Sequence, residues 1–231
     1  GMDLPCAEQA EGRLPTDRFM LFIGGYHMIT LYTSIGHYRL VSGKNNVSYP
    51  VITANGKEHR LDTKELLLWS SLMWNLLTFD ELKSLYGEKE AELHLLDEQD
   101  FERYLKRLVF RGLVTSGCGY TGLEALCDLL GYLYIKPITG GIVAKIYAFF
   151  HLIMNQPFRM AVQIFRKEKL NPCEKYVFRL SRNRRLSPSE LIRDMETQKI
   201  ILPSASPDYQ QTVITAIANL YLKRLIIFDC L

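Results

Sequence analysis

Residues 65–82, ELLLWSSLMWNLLTFDEL, and residues 174–191, EKYVFRLSRNRRLSPSEL, decide the fold. A shift of 109 positions lays one on the other without a gap. Glu65 then meets Glu174, Leu77 meets Leu186, Glu81 meets Glu190 and Leu82 meets Leu191. Trp69 meets Phe178 and Thr78 meets Ser187. The pentapeptide Tyr-Leu-Lys-Arg-Leu also occurs twice, at 104–108 and 221–225, with an offset of 117. Two copies of one helical unit explain the pattern, the second with eight more residues between its later elements.

Each copy reads as three helices followed by a strand. In the first, Asp62 and Glu65 have capping-box spacing ahead of an apolar run through Leu72 and Met73. A second start lies at Thr78 with Glu81 three residues on. A third helix is predicted over about 97–111, because Phe101, Tyr104, Leu105, Leu108 and Val109 fall on one helical face. Gly112 ends it, and 113–115 reads as a short strand. The second copy starts near Pro172 and again at Ser187-Pro188-Ser189-Glu190, with proline at the first helical position. Its third helix is predicted over about 208–224, followed by a strand at 225–228. Three short helices and a strand suggest a winged helix, a helix-turn-helix backed by a β-hairpin.

Ahead of the first copy the texture changes. Residues 19–23 and 26–33 are β-branched and aromatic, with Gly24-Gly25 between them as a hairpin signal. Residues 37–41 form another candidate strand, and Val51-Ile52-Thr53 and 58–61 flank Asn55-Gly56, the pair a type I′ turn favours. The expected class is α+β, mainly α: two winged-helix units joined by apolar helices, with a small N-terminal antiparallel sheet. The expected divisions are an extended or disordered 1–18, a sheet plus first unit over 19–120, a helical connector over 121–170 and a second unit over 171–231. In the connector, Leu123, Leu126, Cys127, Leu130, Leu133 and Tyr134 stand at helical spacing. Residues 142–154 are apolar nearly all round, as in a core between the units or in a homodimer contact through 121–156.

Hairpin, helix, helix, helix and strand in this order resemble the PqqD-like peptide-recognition domains. The residues that carry the likeness are His59-Arg60-Leu61-Asp62, Glu65 to Trp69, Thr78 to Leu82, and Phe101 to Val114 with its closing Arg111-Gly112-Leu113. The resemblance covers about 49–114 and implies a leader peptide that adds a strand beside the hairpin and packs on the third helix. The second copy departs from it, since a stand-alone domain of that family needs none. A general likeness to winged-helix transcription regulators covers more of the chain.

Charge divides the copies. Residues 1–156 hold 15 Lys/Arg against 18 Asp/Glu, and residues 157–231 hold 13 against 7. Arg166, Lys167 and Lys169 form one basic cluster; Arg179, Arg182, Arg184 and Arg185 form another, at the turn where a helix-turn-helix nears the phosphate backbone. Arg182, Arg184, Arg185, Lys223 and Arg224 are the candidate phosphate contacts. Gln210, Gln211, Thr212, Thr215 and Asn219 open the third helix and are residue types that read base edges. The competing assignment is a solvated basic face beside a polar helix start. In the first copy, 97–100 and Glu102 are acidic and would repel phosphate, which suits peptide or protein contact instead. The peptide alternative places its contacts at Glu58, Arg60, Arg103, Lys106 and Arg107.

Catalytic signals are poor. Gly117-Cys118-Gly119-Tyr120-Thr121-Gly122 matches G-x-G-x-x-G but lacks the acid that a dinucleotide site wants about 20 positions on, and its glycines are expected to form a wing turn. Gly43-Lys44 lacks the rest of a phosphate loop. The five histidines have no metal spacing, and Cys127 and Cys173 read as small core residues. No enzyme activity, cofactor or metal is expected. Five cysteines without paired spacing suit a reducing cytoplasm. Gly1 before Met2 reads as an expression scar, and the charged first 18 residues do not read as a signal peptide. The run 142–154 contains Lys145 and is shorter than the roughly 20 residues of a membrane span, so no membrane partner is expected. The expected function is a DNA-binding regulator, with the peptide adaptor as its rival.

Overall fold

The computed structural model describes residues 28–42, 48–94, 101–138, 169–197 and 208–230. Over these the protein is mixed α+β and mainly helical, with short antiparallel sheets. The expected N-terminal segment 1–18, strand 19–23, turn Gly24-Gly25, acidic opening 97–100, apolar run 142–154 and most of the basic cluster at 166–169 lie outside the described residues.

Strand β1 (Ile29–Ser34) leads into β2 (His37–Ser42), β3 (Ser48–Ala54) and β4 (Lys57–His59). Asn55 and Gly56 take φ values of 48° and 71°, and Ala54 pairs with Lys57, as a two-residue type I′ turn requires. The small antiparallel sheet is β2–β3–β4, with β3 central. β1 is not part of it, which corrects the expectation of one N-terminal sheet that includes 26–33.

β1 instead serves the first helical unit. That unit comprises α1 (Thr63–Leu72), β5 (Leu77–Thr78), α2 (Phe79–Glu92), α3 (Phe101–Phe110) and β6 (Val114–Gly119). Capping boxes start α1 at Asp62 and α2 at Thr78, where the sequence places them. β1 runs antiparallel between β5 and β6, so Tyr32 faces Leu77 on one side and Ser116 on the other.

The second unit repeats this arrangement. After α4 (Gly122–Leu130) comes β7 (Leu133–Pro137), then α5 (Pro172–Asn183), α6 (Pro188–Thr197), α7 (Tyr209–Leu222) and β8 (Ile226–Cys230). Ile135 of β7 is bridged to Leu186 on one side and pairs with Phe228 of β8 on the other. Leu77 and Leu186 are therefore equivalent, as the shift of 109 requires. Two expectations are corrected. The strand after each third helix is not half of a hairpin: it pairs with a strand that precedes the helices. The connector is also not helical throughout, because Gly131 closes α4 and Leu133 and Tyr134 lie in β7.

The pentapeptide is a false guide. Leu113 N donates to Leu108 O, and Leu225 N donates to Leu220 O, at 2.9 and 3.0 Å. Gly112 N and Arg224 N donate to Val109 O and Tyr221 O. Both third helices thus end in the same Schellman turn, with Gly112 (φ 68°) equivalent to Arg224 (φ 60°). That equivalence is a shift of 112, not 117. Tyr-Leu-Lys-Arg-Leu lies inside α3 but runs over the end of α7, because many amphipathic helices share that apolar spacing.

The G-x-G-x-x-G segment is neither a phosphate loop nor a wing turn. Gly117 and Gly119 lie in β6, directly beneath α4. A Cβ at Gly117 would stand 2.1 Å from Leu129 N and 2.5 Å from Ala125 O, so glycine lets helix and strand backbones touch. Thr121 caps α4 in a third box, with Glu124.

The two units share one apolar core. At their junction the buried Tyr221 hydroxyl accepts from Trp74 N (2.9 Å) and Thr33 Oγ1 (2.8 Å) and donates to Leu72 O (3.2 Å). Its ring stacks on Phe228 at 4.2 Å, and Gly36 N donates to Phe228 O. The small sheet is tied to the second unit through Asn55 N, which donates to Asp229 Oδ1 at 2.9 Å.

Candidate nucleic-acid interface

In both units a carboxylate in the first helix is buried and paired with the end of the third helix. Glu65, 1% exposed, takes Arg111 Nη1 at 2.9 Å and has Arg107 Nη2 at 3.0 Å. Glu174, also 1% exposed, takes Lys223 Nζ at 2.9 and 3.1 Å. Both glutamates also complete their helix's capping box. The device assigns Lys223 a structural partner, which removes most of its charge from any surface role. Arg224 is exposed, and its guanidinium lies over the Trp74 ring at 5.7 Å, across the junction of the units.

The other candidate phosphate contacts separate into two kinds. Arg184 pairs with Asp194 of α6. Arg182 and Arg185 are exposed, with no ion-pair partner among the described residues. Sequence reasoning passed over a further member of the same face, Lys175, and left Arg179 out of the contact set. Lys175, Arg179 and Arg182 stand at i, i+4 and i+7 on α5, all exposed. That spacing was the available signal. Glu174, the one carboxylate in α5, points into the core.

α7 is buried on most of its circumference. Its exposed or half-exposed positions are Gln210, Gln211, Thr212, Thr215, Asn219 and Leu222, besides Tyr209 at its start. Gln211, Thr215, Asn219 and Leu222 follow i, i+4, i+8, i+11 and form one stripe without a charge. Gln210 leans toward α4, with Nε2 3.8 Å from Cys127 Sγ. Thr212 Oγ1 donates to Asp208 O at 2.9 Å and so turns back on its own helix. Asp208 accepts from Gln210 N and Gln211 N as the N-cap. The candidate stripe narrows to Gln211, Thr215 and Asn219.

The corresponding residues of the first unit are placed differently. Arg107 is tied to Glu65 and Asp62, and Lys106 to Glu102. Arg103 is exposed on α3. Glu58 pairs with Arg39 at 3.7 Å, and Arg60 lies over the Tyr49 ring at 4.2 Å while its carbonyl accepts from Arg111 Nη2. Among the described residues β4 pairs only with β3.

Burial pushes Cys127 and Cys230 above the usual thiol range and Cys173 up to about 11. Among the described residues no group of three or more His, Cys, Asp or Glu side chains is arranged to hold a metal, and no helix is long and apolar enough to cross a membrane. Comparison of the chain with protein-family models, curated proteins and solved structures gives no match.

Proposed function

We propose that the protein is a DNA-binding regulator that acts through its second, winged-helix-like unit. The observation that carries this reading is the uncharged polar stripe Gln211–Thr215–Asn219 on α7, on the unit whose first helix presents exposed cations without ion-pair partners among the described residues. Amide and hydroxyl side chains at a helix surface match base edges, and Arg182 and Arg185 supply the phosphate contacts that seat such a helix in a groove. The test is fluorescence anisotropy of the full chain with random duplex DNA over a salt series. Binding that weakens steeply with salt and is lost in Arg182→Glu/Arg185→Glu supports the reading; no binding at low salt refutes it.

A peptide adaptor is the second reading, favoured by the side of β4 that no strand among the described residues pairs with. An extended acidic peptide would add there as a strand, beside Arg103 and Arg60. Acidic peptides captured by the protein and released by Arg103→Glu would favour it over DNA. Capture that Arg103→Glu leaves unchanged would count against it.

A further inference from the structure

The exposed face of α5 carries charge of one sign. Its exposed positions are Pro172, Lys175, Arg179, Arg182 and Asn183: three cations and no acid. Like charges at i, i+4 on a helix destabilise it, and ordinary surfaces intersperse the two signs. The cations are also held in place. Arg179 lies 5.8 Å from the Tyr176 ring and Arg182 5.8 Å from the Phe178 ring. Arg185, just past the helix, is exposed as well. The nearby carboxylates are otherwise engaged: Glu190 caps α6 through Ser187, and Asp194 pairs with Arg184.

We propose that the α5 face Lys175–Arg179–Arg182, together with Arg185, tracks the phosphates of duplex DNA, so that the second unit docks through its first helix as well as its third. The proposal rests on the DNA-binding reading above and adds to it the surface that supplies affinity. Seven residues of α-helix span about 10.5 Å. One DNA strand carries a phosphate per about 3.4 Å of axial rise, so the three side chains match roughly three phosphate steps. Guanidinium groups suit this role because they offer several donors in a fixed plane. The device is sequence-independent: it sets the register of the protein on the duplex and leaves discrimination to Gln211, Thr215 and Asn219.

The test is the salt dependence of random-duplex binding by the full chain and by Lys175→Gln/Arg179→Gln/Arg182→Gln, with Gln211→Ala/Thr215→Ala in parallel. The α5 variant is expected to lower affinity equally for every duplex and to flatten the log K against log salt slope by about 2 to 3, roughly 0.9 per lost phosphate contact. The α7 variant is expected to weaken binding with the slope kept. Should the triple variant fail to fold, Arg179→Gln alone is expected to flatten the slope by about 1. Unchanged affinity and slope in the α5 variants, with the α7 variant impaired, would overturn the α5 proposal and leave the DNA reading standing. A parent protein that binds no duplex at low salt would overturn both.

Discussion

The two units share a frame and differ in where they keep their cations. In the first, the third helix presents three exposed cations, of which two are bound to carboxylates: Arg107 to Glu65 and Asp62, Lys106 to Glu102. In the second, the third helix presents no charge between Asp208 and Lys223, and the cations line the first helix without ion-pair partners among the described residues. One frame thus carries a neutralised surface and an open one. The open one keeps more cations available to an anionic partner, because a paired charge must lose one partner to gain another.

The largest expected effect lies in the buried pairs. Lys223→Met leaves Glu174 a buried carboxylate without a cation, whereas Arg111→Met leaves Glu65 with Arg107 still at 3.0 Å. Breaking a buried pair costs about 3–5 kcal/mol. Urea unfolding should therefore show a loss of about 3 kcal/mol for Lys223→Met and a smaller loss for Arg111→Met. Equal losses would show that Arg107 does not share the load.

Next comes the junction. Tyr221→Phe removes the acceptor of the buried Trp74 N, while Thr33 Oγ1 keeps the Asn75 carbonyl at 3.0 Å, and leaving such a buried donor unmade costs about 1–3 kcal/mol. The unfolding transition should shift as a whole, since the core is shared. Splitting into two transitions would mean that the hydroxyl holds the units in one cooperative block.

Smaller again is the contrast between the two Schellman turns. Gly112 and Arg224 both adopt positive φ, which costs a side-chain-bearing residue about 1 kcal/mol. Gly112→Ala should destabilise by about that much. Arg224→Gly relieves the strain but loses the contact with Trp74, so its net change should lie within about 0.5 kcal/mol of zero. A loss above 1 kcal/mol would make the Arg224–Trp74 contact the stronger term.

The smallest effect is a dependence on pH. His37 on β2 is held below the usual imidazole range, first by burial and then by Lys136 on β7 and Arg39 on its own strand, with Asp229 on β8 opposing. A depressed folded pKa means that the unfolded chain binds the proton first. This contribution is complete above about pH 6.5 and is lost as pH falls below it. Melting temperatures measured below pH 6.5 should fall less steeply in His37→Gln than in the parent. An identical slope would remove His37 as the cause.

How far the sequence can be read follows the same division between frame and surface. Asp62, Thr78, Pro172 and Pro188 mark helix starts that the structure places within a residue, because caps are local chemistry. The shift of 109 survives as the equivalence of Leu77 and Leu186. The strand pairing was illegible: β1 with β6 and β7 with β8 join segments far apart in sequence, and nothing local in Leu133–Pro137 distinguishes a strand from the tail of α4. The side-chain partners were equally hidden. Lys223 and Arg182 look alike in the sequence, yet one is drawn to a buried carboxylate and the other faces solvent. Lys175 and Arg179 share a helical period with Arg182, whereas proximity to the turn picks out Arg179 alone and misses Lys175.

The comparison of the units is tested most directly by charge reversal in each. Duplex DNA anisotropy at low salt would be measured for the parent, for Arg103→Glu on α3 and for Arg185→Glu beyond α5. The expected result is binding in the parent, little change in Arg103→Glu, and a marked loss with a flatter salt slope in Arg185→Glu. Equal losses in the two variants, or a larger loss from Arg103→Glu, would contradict the assignment of DNA contact to the second unit.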